Sequence, residues 1–357
     1  MKRGLSCSYE QPRPTGTPDS SNNNNVLSPP SNPHTPSHLS PYVGGEPRAG
    51  LNRHEELCLV HHYTTSTHMG ISRHDRDSSI WQNMPFHDGR TYPFVLDAIL
   101  ALAALHKAYL EPQNNEKYSS ACLFYQNQCL QTYYKQLANI NQDNCHAMFA
   151  VSAMINVLTI AMSRGSSGLV ATSPLETLFT TFKLLRGIQL VLDGHFDAVR
   201  AGHYKEIFSI PDVPPNSTVS KEVSHAMGEL LRLASDGNTE ADPDRTELYK
   251  SSIDSLGKHF LEVEQVANFG AVIAWPLSLD ESATRLLKAH DPMMMLIFVH
   301  YGVLYLHIHE RWWAHDFGCR LIWELSESLH ALGGSWLPLT SWARSKAANV
   351  RATPPAH

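Results

Sequence analysis

Residues 293–313 read MMMLIFVHYGVLYLHIHERWW and follow Asp291-Pro292, a pair that suits the first turn of a helix. The stretch is the most apolar in the chain. Its uninterrupted apolar run, broken by His300, falls short of the ~20 residues needed to cross a bilayer. A helix buried on all its faces satisfies both facts, and such a helix needs other helices around it. The chain supplies them. Phe94 to Leu110 (FVLDAILALAALHKAYL) is apolar almost all round, and Met148, Val151, Met154, Ile155, Leu158 and Met162 recur at helical spacing. Asp143 is expected to cap that second helix. Pro174 is expected in the first turn of another, LETLFTTFKLLRGIQLVL, where its missing N–H costs nothing.

Further amphipathic segments lie at Lys117 to Leu137, Lys221 to Ala234, Glu247 to Ala267 and Phe317 to Leu332. Leu57, Val60 and Tyr63 mark an earlier helix. Trp81 to Pro93 reads as a loop, because Pro85, Gly89 and Pro93 are helix breakers. Trp336-Leu337-Pro338 starts a short closing segment. Period-2 alternation is almost absent and no repeat of fixed period stands out. The expected fold is all-α, a single large irregular helical domain over residues 51–346. A disordered linker is expected at 10–50 and a flexible tail at 347–357.

Composition narrows the function classes. The 357 residues are 42% hydrophobic but only 17% charged, which suits a well-filled helical core. The net charge is −6 and no basic block occurs, so the chain lacks the positive footprint of an autonomous nucleic-acid binder. Residues 10–50 are rich in Pro, Ser and Asn and too poor in aliphatic side chains to offset the entropy of ordering. The polar start, Met1-Lys2-Arg3-Gly4, has no apolar stretch behind it, which predicts no signal peptide and an intracellular, reducing setting. Six cysteines (7, 58, 122, 129, 145 and 319) include no C-x-x-C pair.

One short segment carries a resemblance. Lys2-Arg3-Gly4-Leu5-Ser6-Cys7-Ser8-Tyr9 resembles the end of the Zn₂Cys₆ binuclear cluster of fungal transcription factors. In that family six residues separate the last two cysteines, a basic pair and a glycine often fill the gap, and a Tyr commonly follows. On that pattern the preceding cysteine would stand directly before Met1, residues 1–9 would be a remnant of the cluster, and Cys7 would be its sixth ligand. Two zinc ions sharing six thiolates need a tetrahedral shell each, which one cysteine cannot supply. The body of the chain extends the likeness. LCLVHHYTTST (57–67), Trp81-Gln82, PFVLDAILALAALHKAYL (93–110), Asp143-Asn144, Leu184-Leu185-Arg186-Gly187, Trp275-Pro276, His300-Tyr301 and Trp312-Trp313 resemble, in order, the regulatory domain of the sterol uptake control protein subgroup.

The resemblance implies a nuclear transcriptional regulator that shuttles with the cytoplasm. Its helical domain would dimerise, with itself or with related regulators, and would sense a sterol-like or other apolar ligand. It implies DNA contact only through a zinc cluster completed upstream of Met1, no cofactor in this chain by itself, and two zinc ions only where that cluster is complete. The soft apolar side chains of Met294, Met295, Phe298, Tyr301 and Leu304 are the candidate lining of a ligand pocket. An alternative is a free-standing regulatory or dimerisation module without DNA binding. A helical enzyme is a further alternative, but the sequence offers it nothing. His54-Glu55-Glu56-Leu57-Cys58 approaches H-E-x-x-H with Cys58 in the place of the second histidine. No D-D-x-x-D, G-x-S-x-G, phosphate-binding loop or dinucleotide fingerprint is present.

Overall fold

The computed structural model describes residues 51–72, 75–165, 169–209, 212–236, 242–333 and 335–352. The expected linker, the cluster remnant with Cys7, and residues 353–357 of the expected tail lie outside them. Among the described residues the regular elements are helices, with no strand. In chain order the first are α1 (Arg53–His62), α2 (His68–Ile71), α3 (Asp75–Gly89), α4 (Phe94–Leu110), α5 (Asn115–Leu137), α6 (Cys145–Met162) and α7 (Pro174–Ala201). They are followed by α8 (Lys221–Asp236), α9 (Pro243–Val266), α10 (Gly270–Ala274), α11 (Glu281–Lys288), α12 (Pro292–Leu306), α13 (Phe317–Leu332) and α14 (Ser341–Ala352). The all-α expectation is met. α14 continues past residue 346, and Ala347 within it is fully buried.

Sequence neighbours pack as pairs: α4 with α5, α6 with α7, α8 with α9, and α12 with α13. The three most apolar helices, α4, α6 and α12, form the interior. All fourteen residues of α12 from Met293 to Leu306 are buried, so the helix has no solvent face to keep polar. α6 is long and apolar enough to cross a membrane, but 72% of it is buried among its neighbours, as the core helix of a folded body would be. α13 approaches α12 through two glycines. A Cβ on Gly318 would stand 2.7 Å from the Gly302 carbonyl oxygen, closer than any side chain tolerates, so the absence of a side chain there sets the helix separation. Arg320 on α13 then reaches Ser163 at the end of α6, donating to its carbonyl at 2.9 Å and its hydroxyl at 2.6 Å. Glu324 on the same helix accepts from the hydroxyl of Ser173, the N-cap of α7, at 2.5 Å.

Two sequence expectations need correction. The first is the loop at Trp81 to Pro93: α3 runs through it to Gly89 with Pro85 inside the helix. Pro85 has no N–H for the carbonyl four residues earlier, which belongs to Trp81. The hydroxyl of buried Tyr63 donates to that carbonyl at 2.9 Å and fills the gap. A single π-helical turn, Tyr63–Thr67, lies between α1 and α2 at the point where Tyr63 faces α3. Gly89 and Pro93 do break the chain, one ending α3 and the other preceding α4. Replacing Tyr63 by Phe leaves the Trp81 carbonyl buried without this partner, and should cost about 1–3 kcal/mol of unfolding free energy in urea titrations. A loss under a few tenths of a kcal/mol would mean that another donor already serves it.

The second correction concerns Asp143. The turn before α6 is held by Asn141, whose side-chain oxygen accepts from the N–H groups of Asp143 and Asn144 at 2.9 and 3.1 Å. Asn144, not Asp143, stands at the cap position, and its own side chain accepts from the Asn141 N–H at 2.9 Å. The Asp143 side chain remains exposed. α12 also ends at Leu306, so the last seven residues of the opening stretch form turns. Pro174 and Pro292 do occupy first turns, after side-chain caps by Ser173 and Asp291.

Candidate functional site

α12 carries the candidate lining of an apolar pocket. Met294, Met295, Phe298, Tyr301 and Leu304 all have no exposed surface. Phe298 packs against Trp275, Phe182 and Tyr301 with ring centroids 4.9, 5.9 and 5.7 Å away. Tyr301 lies 4.4 Å from Trp275 and donates its hydroxyl to the Val272 carbonyl at 2.8 Å. Trp275 and Val272 come from α10 and the 3₁₀ turn after it (Trp275–Ser278), elements too short to show a period in the sequence. Dense aromatic packing of this kind fills its own volume. Two surface depressions lie elsewhere. One, of about 730 Å³, is bounded by Gln142, Gln189 and Gly194 to Ala198. The other, of about 380 Å³, lies beside His54, Cys58, His61, His62 and Lys107.

Polar groups on α12 are used to hold helices together. Asp291, with its side chain 3% exposed, caps the helix by accepting from the Met294 N–H at 2.8 Å. The same oxygen accepts from the Tyr249 hydroxyl of α9 at 2.8 Å, and the other faces the guanidinium of Arg245. Arg245 also donates to Tyr249 at 2.6 Å, closing a three-residue network between α9 and α12. His300 directs Nδ1 at the Leu296 carbonyl one turn earlier, 2.9 Å away, and stacks on Trp342 of α14. Burial holds its pKa down to about 4, so the ring is neutral at pH 7.

A second aromatic group joins the first helices described to the turns that follow α12. His106 of α4 is stacked on Trp312 with ring centroids 4.6 Å apart, and its Nδ1 is 3.0 Å from the Thr67 hydroxyl in the π-turn. The His62 ring lies 4.8 Å from that of His106, tilted by 43°. Burial lowers the pKa of His106 to about 3 and that of His62 to about 4, with neighbouring positive charge adding to each. Beyond Trp312, Arg311 and Trp313 both donate to the Gly70 carbonyl at 2.7 Å. No sequence signal marks this group, because its members are separated by most of the chain. The near-metalloprotease pair, His54 and Cys58, stands on the exposed face of α1 with Sγ 3.8 Å from Nε2.

The helical body engages Asp291, His300 and Tyr301 of α12 with neighbouring side chains or with backbone carbonyls. It presents none of these groups to an open cleft. Residues 58–175, from within α1 to the start of α7, match the family model described as the fungal specific transcription factor domain. The match covers about a third of the chain, and over those residues the chain is similar to that domain of fungal transcription factors. No curated protein matches the chain.

Proposed function

We propose that this chain is the regulatory body of a fungal transcriptional regulator of the zinc-cluster class, acting in the nucleus. The observation that carries the reading is the match of residues 58–175 to the fungal specific transcription factor domain. On this reading DNA contact belongs to a zinc cluster in which Cys7 would be the last ligand, since the chain, with a net charge of −6, has no basic block of its own to follow a phosphate backbone. The same reading gives the helical body an apolar effector, sterol-like in shape. Met294, Met295, Phe298, Tyr301 and Leu304 are its candidate contacts. Because these residues are fully buried, such an effector would be enclosed and its entry would require α12 to separate from a neighbour.

Rapid depletion of the protein in its fungal host, followed by transcript sequencing, tests the transcriptional role. A defined set of transcripts should change before any general response sets in. An unchanged transcript profile would contradict the reading. A panel of sterols in a thermal-shift assay tests the effector separately, and failure of every sterol to raise the melting temperature would remove the sterol while leaving the transcriptional role in place.

A further inference from the structure

At the C-terminal end of α3, His87 and Asp88 meet His203, which lies 115 residues beyond Asp88 in the segment that follows α7. Oδ1 of Asp88 is 3.5 Å from His87 Nδ1 and 3.0 Å from His203 Nε2. Among the described residues this is the one group of three such side chains whose ligating atoms all fall within 4.8 Å of one another. A tetrahedral ion bound at about 2.0–2.1 Å separates its ligands by about 3.3–3.5 Å. The His87 separation of 3.5 Å lies at the upper end of that range, and the His203 separation of 3.0 Å is slightly shorter than it, so a small outward shift of one side chain would admit the ion.

The surroundings favour coordination over a chance encounter of polar groups. Asp88 is buried, and its second oxygen, Oδ2, accepts from the Tyr204 hydroxyl at 2.9 Å and lies 3.3 Å from His203 Nε2. The tyrosine bond orients the carboxylate and leaves Oδ1 as the oxygen nearest both imidazoles, which is how a supporting residue fixes a metal ligand. His146 stacks on the His203 ring at 4.5 Å and is itself anchored toward the Ala198 carbonyl at 3.2 Å. Gly202 lets the chain come this close: a Cβ there would fall 2.1 Å from His146 Nε2. The imidazole of His203 is therefore held on one side by a ring and on the other by the carboxylate. The His87 side chain is 66% exposed, so the side of the cluster away from Asp88 opens to solvent and a water can complete the shell.

We propose that His87 Nδ1, Asp88 Oδ1 and His203 Nε2 form a binding site for one divalent transition ion of the zinc class. Two imidazoles and one carboxylate suit zinc far better than magnesium or calcium, which prefer oxygen alone. The ion would join the end of α3 to the segment after α7, reinforcing the link that the Tyr204–Asp88 hydrogen bond already makes.

The test uses the full chain carrying Cys58→Ser, which removes the His54–Cys58 pair as a competing ligand, after dialysis against a chelator. Zinc is titrated against a chromophoric competitor, and thermal unfolding is followed in parallel. The expected result is one more tightly bound zinc per chain than in the same protein with His87→Gln and His203→Gln. Free zinc at about 100 times its Kd should also raise the melting temperature by about 5 °C, and that rise should be lost in the double variant. Should the double variant fold poorly, His87→Gln alone alters a largely exposed side chain and should weaken binding at least about tenfold. Equal zinc stoichiometry and equal affinity in parent and variants would overturn the proposal and leave the cluster as hydrogen bonds between histidines and a carboxylate.

Discussion

Asp291→Ala is expected to lower the unfolding free energy by about 3 kcal/mol, read from urea denaturation at pH 7. The size of the loss follows from what the buried carboxylate does. It supplies the cap of α12, so its removal leaves the Met294 N–H, buried under the core helix, with no partner. It also accepts from the Tyr249 hydroxyl, which then has only Arg245 beside it. Arg245 loses a counter-ion as well, but its side chain is 43% exposed and water takes over most of that interaction. The cap and the orphaned hydroxyl therefore dominate, and the charge contributes less. A graded series separates these parts. Asp291→Asn keeps acceptors for Met294 and Tyr249 and should lose about half as much, whereas Tyr249→Phe should cost about 1 kcal/mol. If Asn proves as damaging as Ala, the ion pair and not the cap is the principal contribution.

Acidification should unfold the protein through its neutral histidines. His300 is held to about 4 and His106 to about 3, chiefly by burial, against an unfolded value near 6.5. Between those limits the unfolded chain binds protons that the folded one refuses, so stability rises with pH there and falls as pH drops from about 6.5 toward 4. Each of these two residues contributes a loss of roughly 3 kcal/mol over that window, an amount large against the 5–15 kcal/mol by which folded proteins are stable. His62, only half-buried, adds in the same direction. Asp97 works the other way. Burial and the nearby Glu56 raise it to about 6, so its protonation returns some stability as pH falls below that point. The histidines outweigh it because they are more deeply buried. His300→Asn keeps a donor for the Leu296 carbonyl but cannot titrate. Its stability should fall less than the parent's between pH 7 and pH 4.5, by about 2 kcal/mol. Identical pH profiles would show that His300 is not the group responsible.

The features legible in the sequence are those that report themselves locally. The run from Met293 to Leu306 has no polar face, and burial on all sides is the only arrangement that suits it. Ser173-Pro174 and Asp291-Pro292 place a cap and a first-turn proline side by side, and both helices begin there. The helix through Pro85 is illegible for a physical reason. The residue that compensates for its missing N–H, Tyr63, sits outside that helix, and only the packed structure brings its hydroxyl to Trp81. Asn141 displaces Asp143 as the group organising the start of α6 because either side chain can make the local bonds, and spacing alone does not choose between them. His106 with Trp312, and His87 and Asp88 with His203, are distant pairings that no periodicity encodes. The ligand candidates on α12 stand out by their soft apolar chemistry, and the structure buries all five of them, with Phe298 packed against Trp275 and Phe182 and Tyr301 against Trp275.

Those surroundings bear on how a regulator of this kind would work. A core helix held at its first turn by Asp291 and at its middle by His300 and Trp342 has two attachments whose loosening would free the same element. If the proposed effector enters beside Phe298, it would compete with those attachments, and a variant such as Asp291→Ala would then shift the balance even without an effector.

The most direct measurement of the regulatory role is transcription from a reporter promoter to which the full chain is tethered through a heterologous DNA-binding domain. The tethered chain should change reporter output relative to the DNA-binding domain alone, and Asp291→Ala should weaken or alter that change. Unchanged output, with the fusion folded and bound at the promoter, would contradict the proposal that this body is a transcriptional regulator.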